Sequence, residues 1–273
     1  MTETITSAQN PKIKQLLALQ EKSRLRRETG LFVVEGRREL QHCIDAGFEI
    51  DTIFFCETMG GHGPSGMTAG NASAPPKIFE VSNEVYRKVA YREGTEGIIA
   101  EVRVKDRTLA DLKLKKNPLI VVLESVEKPG NLGAVLRSAD AAGADAVIIC
   151  DPLTDLYNPN LVRASIGAVF TVPCVACSSE EAIGWLKANG VQILTAQLQD
   201  SEWYYDTDMR RGSAIVIGTE ATGLTQAWRD AADAHVKIPM LGAMDSLNAS
   251  VSAAILLFEA VRQRNGGRRD DIV

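Results

Sequence analysis

The chain has 273 residues, 45% of them apolar and 24% charged, with a formal net charge of −5, a balance typical of a globular protein long enough for two domains. That charge excludes attraction of the whole molecule to a polyanion, and no apolar run approaches the length needed to cross a bilayer. The five cysteines are odd in number and irregularly spaced, and no N-terminal apolar stretch reads as a signal peptide, so reduced thiols in a cytoplasmic protein are expected.

Taken in chain order, Asn10-Pro11 predicts a helix start: Asn accepts from free amides as N-cap, and Pro at the first helical position gives up no needed donor. Ile13, Leu16, Leu17 and Gln20 then share one face, followed by the basic segment Ser23 to Arg27. Between Lys12 and Arg38 stand eight basic residues (Lys12, Lys14, Lys22, Arg24, Arg26, Arg27, Arg37, Arg38) against three acidic ones. Such a run is either a phosphate-binding surface or a solvated helix face. Leu31–Val34 reads as a strand, Arg37–Ala46 as a helix and Thr52–Cys56 as a second strand. Met59–Pro76, rich in Gly, Ser, Pro and Asn, is expected to be a mobile loop. Ile78–Val81, a helix around Glu84–Ala90 and Gly97–Val102 complete a small α/β domain over residues 1–105, with 106–117 as linker.

From residue 118 to 273, strand candidates alternate with helical patterns: Leu119–Leu123, Ala146–Cys150, Val169–Pro173, Gln192–Ala196, Ala214–Ile217 and Val236–Ile238. The alternation implies an α/β fold, a parallel sheet covered by helices on both faces. Leu123 is followed by Glu-Ser-Val-Glu-Lys-Pro-Gly-Asn-Leu-Gly, which lacks the glycine-rich turn of a dinucleotide-binding fold. Cys174 and Cys177 lack the further ligands a zinc site needs, so they read as small apolar residues on or just after a strand, and no metal is expected.

Three segments could carry chemistry. In Asn131-Leu-Gly-Ala-Val-Leu-Arg137, a helical wheel places Leu132, Val135, Leu136 and Ala139 on one apolar stripe and Arg137 well away from it. Such an arginine either reaches toward a polyanion or pairs with a nearby carboxylate such as Asp140. In Gly218-Thr-Glu-Ala-Thr-Gly-Leu224, Glu220 sits where a strand hands over to a loop, at the edge where parallel sheets gather ligands. Ile238-Pro-Met then leads to Asp245-Ser-Leu-Asn-Ala-Ser-Val-Ser252, where Ser246, Asn248 and Ser250 are either ordinary caps or donors at a helix end suited to a polar ligand.

In this order, the three segments resemble the motifs of the SpoU (TrmH-like) family of RNA ribose 2'-O-methyltransferases, in the SPOUT superfamily. The resemblance implies a trefoil knot in the C-terminal sheet, S-adenosyl-L-methionine as methyl donor, and a homodimer formed through the C-terminal domain. It implies catalytic or positioning roles for Asn131, Arg137, Glu220, Ser246 and Asn248, and cofactor contacts from Gly218, Ile238 and Leu247, with Met240 and Gly242 on the same wall. Phe32-Val-Val-Glu-Gly36 resembles an L30e-like substrate-binding domain, and Arg163-Ala-Ser-Ile-Gly-Ala-Val-Phe170 the family's segment between motifs. Structured rRNA or tRNA is the implied partner, with Lys12, Lys14, Arg24, Arg26, Arg27, Arg37 and Arg163 as candidate RNA contacts. A non-catalytic RNA-binding protein on the same fold and a base-methylating relative are the competing readings.

Overall fold

The chain opens with β1 (Glu3–Ile5), too short to leave a pattern in the sequence, and then reaches the expected helix start. In the computed structural model, Asn10 accepts the Lys12 amide at 2.9 Å and Pro11 begins α1 (Pro11–Glu21). The structure describes residues 3–60, 74–91 and 96–266. Most of the predicted Met59–Pro76 loop lies outside them. The described residues form two units: those up to Lys105 together with Asp155–Thr171, and Asp106–Thr154 together with those from Val172 onward.

The first unit continues with α2 (Ser23–Thr29), β2 (Leu31–Glu35), α3 (Arg37–Asp45), β3 (Ile50–Phe55), β4 (Lys77–Val81), α4 (Asn83–Val89) and β5 (Ile98–Arg103). Its five strands form a mixed sheet in the order β1-β4-β3-β5-β2, with β5 antiparallel to both β2 and β3. Ile13, Leu16 and Leu19 of α1 pack with Val33, Phe54, Tyr86 and Ile99 in one buried cluster. Leu19, not the expected Leu17, completes the buried stripe with Ile13 and Leu16, and Leu17 packs only partly buried against the cluster.

The second unit begins with a linker that is more than a tether. Thr108 and Asp111 close a capping box over a single 3₁₀ turn, and Leu109, Leu112 and Leu114 pack partly against the core of this unit. Then follow β6 (Leu119–Glu124), α5 (Pro129–Ala141) and β7 (Ala146–Cys150). The chain next contributes α6 (Pro159–Ser165) and α7 (Ala168–Thr171) to the first unit, where Tyr157 stacks on Phe32 at 4.3 Å and Phe170 meets Phe48 at 5.3 Å. It returns as β8 (Cys174–Cys177), α8 (Ser179–Ala188), β9 (Gln192–Ala196), β10 (Glu202–Trp203), β11 (Ser213–Ile217), α9 (Gln226–Ala231), β12 (Ala234–Lys237) and α10 (Ala249–Arg264).

One strand prediction fails here. Val169–Pro173 is not a strand; Ala168–Thr171 forms one helical turn and the strand starts at Cys174. Ala168, Val169 and Phe170 are all buried, and a short apolar run buried on every side carries no period to tell turn from strand. The two cysteines therefore lie on the strand itself.

All seven strands of the second sheet are parallel, in the order β10-β12-β9-β11-β6-β7-β8. In β6, Ile120 to Leu123 have no exposed surface, each contributing roughly 1.5–3 kcal/mol of burial free energy. Side chains alternate across the pleat, so Ile120 and Val122 join Ala182, Leu186 and Trp228 of α8 and α9 in one core cluster. Leu132, Val135, Leu136 and Ala139, the predicted stripe of α5, are buried, and α5 packs against α10. Because every strand points the same way, the loops after β6, β9, β11 and β12 leave from one edge of the sheet.

Candidate active site

The loop after β6 enters α5 at Pro129, placing Asn131 in the helix's first turn. The loop after β11 is shaped by glycine. A Cβ on Gly218 would lie 2.4 Å from the carbonyl carbon and oxygen of Gly223, whose own φ is +68°. Thr219 and Gly223 exchange backbone hydrogen bonds of 3.3 and 3.1 Å across this tight return, with Glu220 held at its tip. At its far end the loop is tied to the sheet: the buried Glu124 carboxylate accepts from the Thr225 amide at 2.8 Å and hydroxyl at 2.7 Å. Asn248 caps α10, accepting from the Ser250 amide at 2.9 Å through Oδ1.

These three loops meet side chain to side chain. Asn248 Nδ2 donates to Glu220 Oε1 at 2.7 Å and to Asn131 Oδ1 at 3.1 Å, while Asn131 Nδ2 donates to Glu220 Oε1 at 3.1 Å. Lys128 Nζ closes the cluster with a 2.7 Å ion pair to Glu220 Oε2. The Lys128 hydrogen bond, then that of Asn131, holds the Glu220 carboxyl below its usual range, and the same contact raises Lys128. Glu220 is thus an anion at neutral pH and a weak proton acceptor; its geometry suits it to fixing two amides.

Beside the cluster lies a cavity of about 610 Å³, lined by Ala196 to Gln199, Gly218 to Leu224, Ile238, Met240 and Asp245 to Ala249. That volume falls within the roughly 300–1,000 Å³ typical of small-molecule sites. Ile238, Met240 and Leu247 supply apolar wall, and Gly218 leaves backbone exposed where no side chain fits. Gln197 Oε1, on the same lining, is buried with no hydrogen-bond partner among the described residues, so a ligand donor would relieve an unsatisfied acceptor. Apolar walls, close backbone approach and an orphan acceptor are what a nucleoside bearing a sulfonium side chain needs, and S-adenosylmethionine fits this donor set.

The other predicted residues distribute unevenly. Ser246 lines the cavity, its hydroxyl 3.2 Å from Asp245. Gly242 does not line it and faces open space, because the exposed 241–244 segment loops away from the wall after Met240. Arg137 stands on the exposed side of α5, outside the cluster, and no hydrogen bond or ion pair engages it among the described residues; the pair with Asp140 is not formed. In the first unit, Lys14 and Arg27 are exposed, Arg37 is half-buried, Arg24 pairs with Glu28 at 2.6 Å and Lys12 lies 4.5 Å from the Phe79 ring centroid. Arg26 is a correction. It is 3% exposed, bonded to the Leu19 carbonyl at 2.6 Å and paired with Asp155 at 2.7 Å, so its charge is consumed inside the fold and cannot reach a phosphate.

Sequence reasoning missed Lys128 and the Gln197–Gln199 wall. A lysine at the N-cap of α5 opposes the positive end of the helix, and that conflict was the available signal for a nearby carboxylate.

A parallel α/β sheet whose edge loops enclose a cavity of about 610 Å³ next to a carboxylate–amide cluster offers a site for a small-molecule ligand. Residues 118–258 match the model of the SpoU rRNA Methylase family and residues 10–100 that of the MRM3-like substrate binding domain. The chain therefore belongs to the SpoU rRNA methylase family. It is 30% identical to the 23S rRNA (uridine(2479)-2'-O)-methyltransferase of Streptomyces viridochromogenes, over 96% of this chain and 93% of that one. It is 29% identical to the 23S rRNA (guanosine(2553)-2'-O)-methyltransferase of Bacillus subtilis (strain 168), over 93% and 97%. Among solved structures, an RNA 2'-O ribose methyltransferase shares 40% identity with a TM-score of 0.80, covering 96% of this chain and 99% of that one. The AdoMet-bound rRNA methyltransferase of Sinorhizobium meliloti shares 30% with a TM-score of 0.86, covering 96% and 98%. The expectation of a substrate-binding first domain is met by the MRM3-like match over residues 10–100.

Proposed function

We propose that this chain, an S-adenosylmethionine-dependent RNA ribose 2'-O-methyltransferase by family, acts on ribosomal RNA through residues 118–273, with residues 1–105 binding the substrate. The observation that carries the reading is the meeting of Asn131, Glu220 and Asn248, from three separate loops, beside a cavity of about 610 Å³. Ribosomal RNA is favoured because the relatives matched over nearly their full length are named for 23S rRNA.

Gly218, Ile238, Met240, Leu247 and Gln197 would hold the cofactor. Bound there, S-adenosylmethionine supplies a methyl carbon activated by its sulfonium. The chain's own task is positioning, since the ribose oxygen has to approach that carbon in line with the departing sulfur. Glu220, kept anionic by Lys128, fixes the amides of Asn131 and Asn248, which orient the sugar hydroxyls. As the hydroxyl gives up its proton to solvent water at the open site, negative charge grows on oxygen and needs an electrostatic partner. Arg137 serves as that partner and as the clamp on the neighbouring phosphate. A guanidinium that stays protonated to above about pH 12 is a poor base, yet its planar fork suits phosphate.

Arg137 completes the site across a symmetric homodimer. Leu241 (97% exposed), Met244, Leu247, Val251 and Phe258 leave an apolar strip along the β12–α10 loop and α10, which a second copy would cover. The same loops are the proposed location of the trefoil knot.

Calorimetry should give one S-adenosylmethionine bound per chain. Incubation with ribosomal RNA and labelled cofactor, followed by digestion to nucleosides, should yield a 2'-O-methylnucleoside. A methylated base would move the chain to the base-modifying relatives; absence of cofactor binding would leave a non-catalytic RNA-binding protein; labelling of tRNA but not rRNA would change the substrate.

A further inference from the structure

The exposed aromatic ring most firmly held in the first unit is Tyr91. It is 47% exposed, yet three contacts fix it. Its amide donates to both carboxylate oxygens of Glu35 at 3.1 Å, its hydroxyl donates to Asn160 Oδ1 at 2.8 Å, and the Arg163 guanidinium carbon lies 5.3 Å from the ring centroid. Arg163 is itself exposed, and no carboxylate pairs with it among the described residues. Gln20 borders the same hollow, its side chain bonded to the Val89 carbonyl at 2.8 Å, which sets the end of α1 beside the end of α4.

The segment presenting Asn160 and Arg163 is held under strain. α6 ends on Ile166 with φ +53°, a left-handed conformation rare for a β-branched residue. Gly167 follows at φ +88°, where an added Cβ would lie 2.9 Å from His42. Such strain persists only where the surroundings over-determine it.

We infer that Tyr91 and Arg163 form a stacking ledge on the first unit for an unpaired nucleobase of the RNA; this rests on the reading of the chain as an RNA-binding enzyme. The exposed part of the ring offers a π face, Arg163 offers charge for a flanking phosphate, and the Asn160 amide NH₂, unbonded among the described residues, is left for a base-edge acceptor. Recognition of RNA through unstacked bases on an aromatic ring beside arginine is sequence-tolerant and depends on the base itself.

The test compares a fluorescein-labelled deca-adenylate RNA with an abasic ribose decamer of the same length, by anisotropy at low salt, on the full-length protein. Tyr91→Leu should weaken deca-adenylate binding about 5- to 150-fold, the span for loss of one base–aromatic stack. It should leave the abasic decamer and S-adenosylmethionine affinity unchanged, and Tyr91→Phe should bind deca-adenylate within about twofold of the parent. In the parent protein, a decamer carrying 5-iodouridine should photocross-link to Tyr91, a readout that needs no variant to fold. Equal losses for both decamers, no loss in Tyr91→Leu, or cross-links confined to other residues would overturn the ledge. Methyl transfer by the parent protein tests the enzymatic reading separately: if it proceeds while Tyr91→Leu binds normally, only the ledge falls.

Discussion

Gly218→Ala tests whether the loop after β11 is shaped for its task or merely connects two elements. The added Cβ would sit 2.4 Å from the Gly223 carbonyl carbon and oxygen and 2.6 Å from the Leu224 nitrogen, whereas ordinary contact begins at 3.4 Å. Backbone must therefore withdraw by about 1 Å, since no flexible side chain stands there to give way. The withdrawal breaks the paired Thr219–Gly223 hydrogen bonds and carries Glu220 with it, so that Asn131 and Asn248 lose their shared anchor. A displacement of about 1 Å in a positioning group costs on the order of 100-fold in rate, or about 2.7 kcal/mol of transition-state stabilisation.

Initial rates of methyl incorporation into rRNA should show kcat/KM falling by about two orders of magnitude, with calorimetry showing weaker S-adenosylmethionine binding. Far-UV circular dichroism should stay unchanged, because the strain is confined to a loop. Gly184→Ala in α8, where a Cβ meets nothing within 4 Å, is the control and should match the parent rate. A Gly218→Ala enzyme within about threefold of the parent would refute the claim that this return needs glycine to place Glu220.

Arg137→Lys keeps the charge but loses the planar fork, so kcat should fall at least tenfold while S-adenosylmethionine affinity by calorimetry stays the same; near-parental turnover would mean that charge alone suffices. Arg26→Met leaves Asp155 without its partner and the Leu19 carbonyl without its donor, and urea denaturation should show a loss of about 3–5 kcal/mol, the usual result of breaking one half of a buried pair. The Glu101 carboxyl is pushed up from 4.5 to about 7, by burial first and then by Asp51, and Gln15 donates to one of its oxygens at 3.0 Å. A raised acid pKa favours the fold at low pH, and that advantage is lost as pH climbs from about 4.5 to about 7. Glu101→Gln should therefore match the parent near pH 4.5 and exceed its stability at pH 8 by about 3 kcal/mol in urea titrations; identical pH profiles would place the carboxyl in an ordinary environment.

Elements with a repeating burial pattern were legible in the sequence, and so was each loop that follows one. The α5 stripe of Leu132, Val135, Leu136 and Ala139 is buried as its spacing implies, and the strands at 146–150 and 192–196 fall where their apolar runs stand. The family resemblance grouped Asn131, Glu220 and Asn248 although up to 117 residues separate them, and parallel strands, which deliver their following loops to one edge, give the physical reason that they meet. What stayed hidden depended on partners that local pattern does not encode. β1 and β10 are too short to alternate, and the run Ala168–Phe170 is buried throughout.

The basic run shows the limit most clearly. Arg24 and Arg26 sit two residues apart in one charged segment, and composition treats them alike. α2 turns about 200° between them, so Arg24 projects to solvent beside Glu28 while Arg26 points inward to the last carbonyls of α1 and to Asp155, 129 residues further along the chain. A buried guanidinium requires a carboxylate and carbonyls already waiting for it; the end of α1 supplies the carbonyls, and only Asp155, from the distant segment that folds into the first unit, supplies the carboxylate. Charge density in a sequence therefore bounds how many cations a surface can present to RNA; which of them it does present is decided by long-range packing.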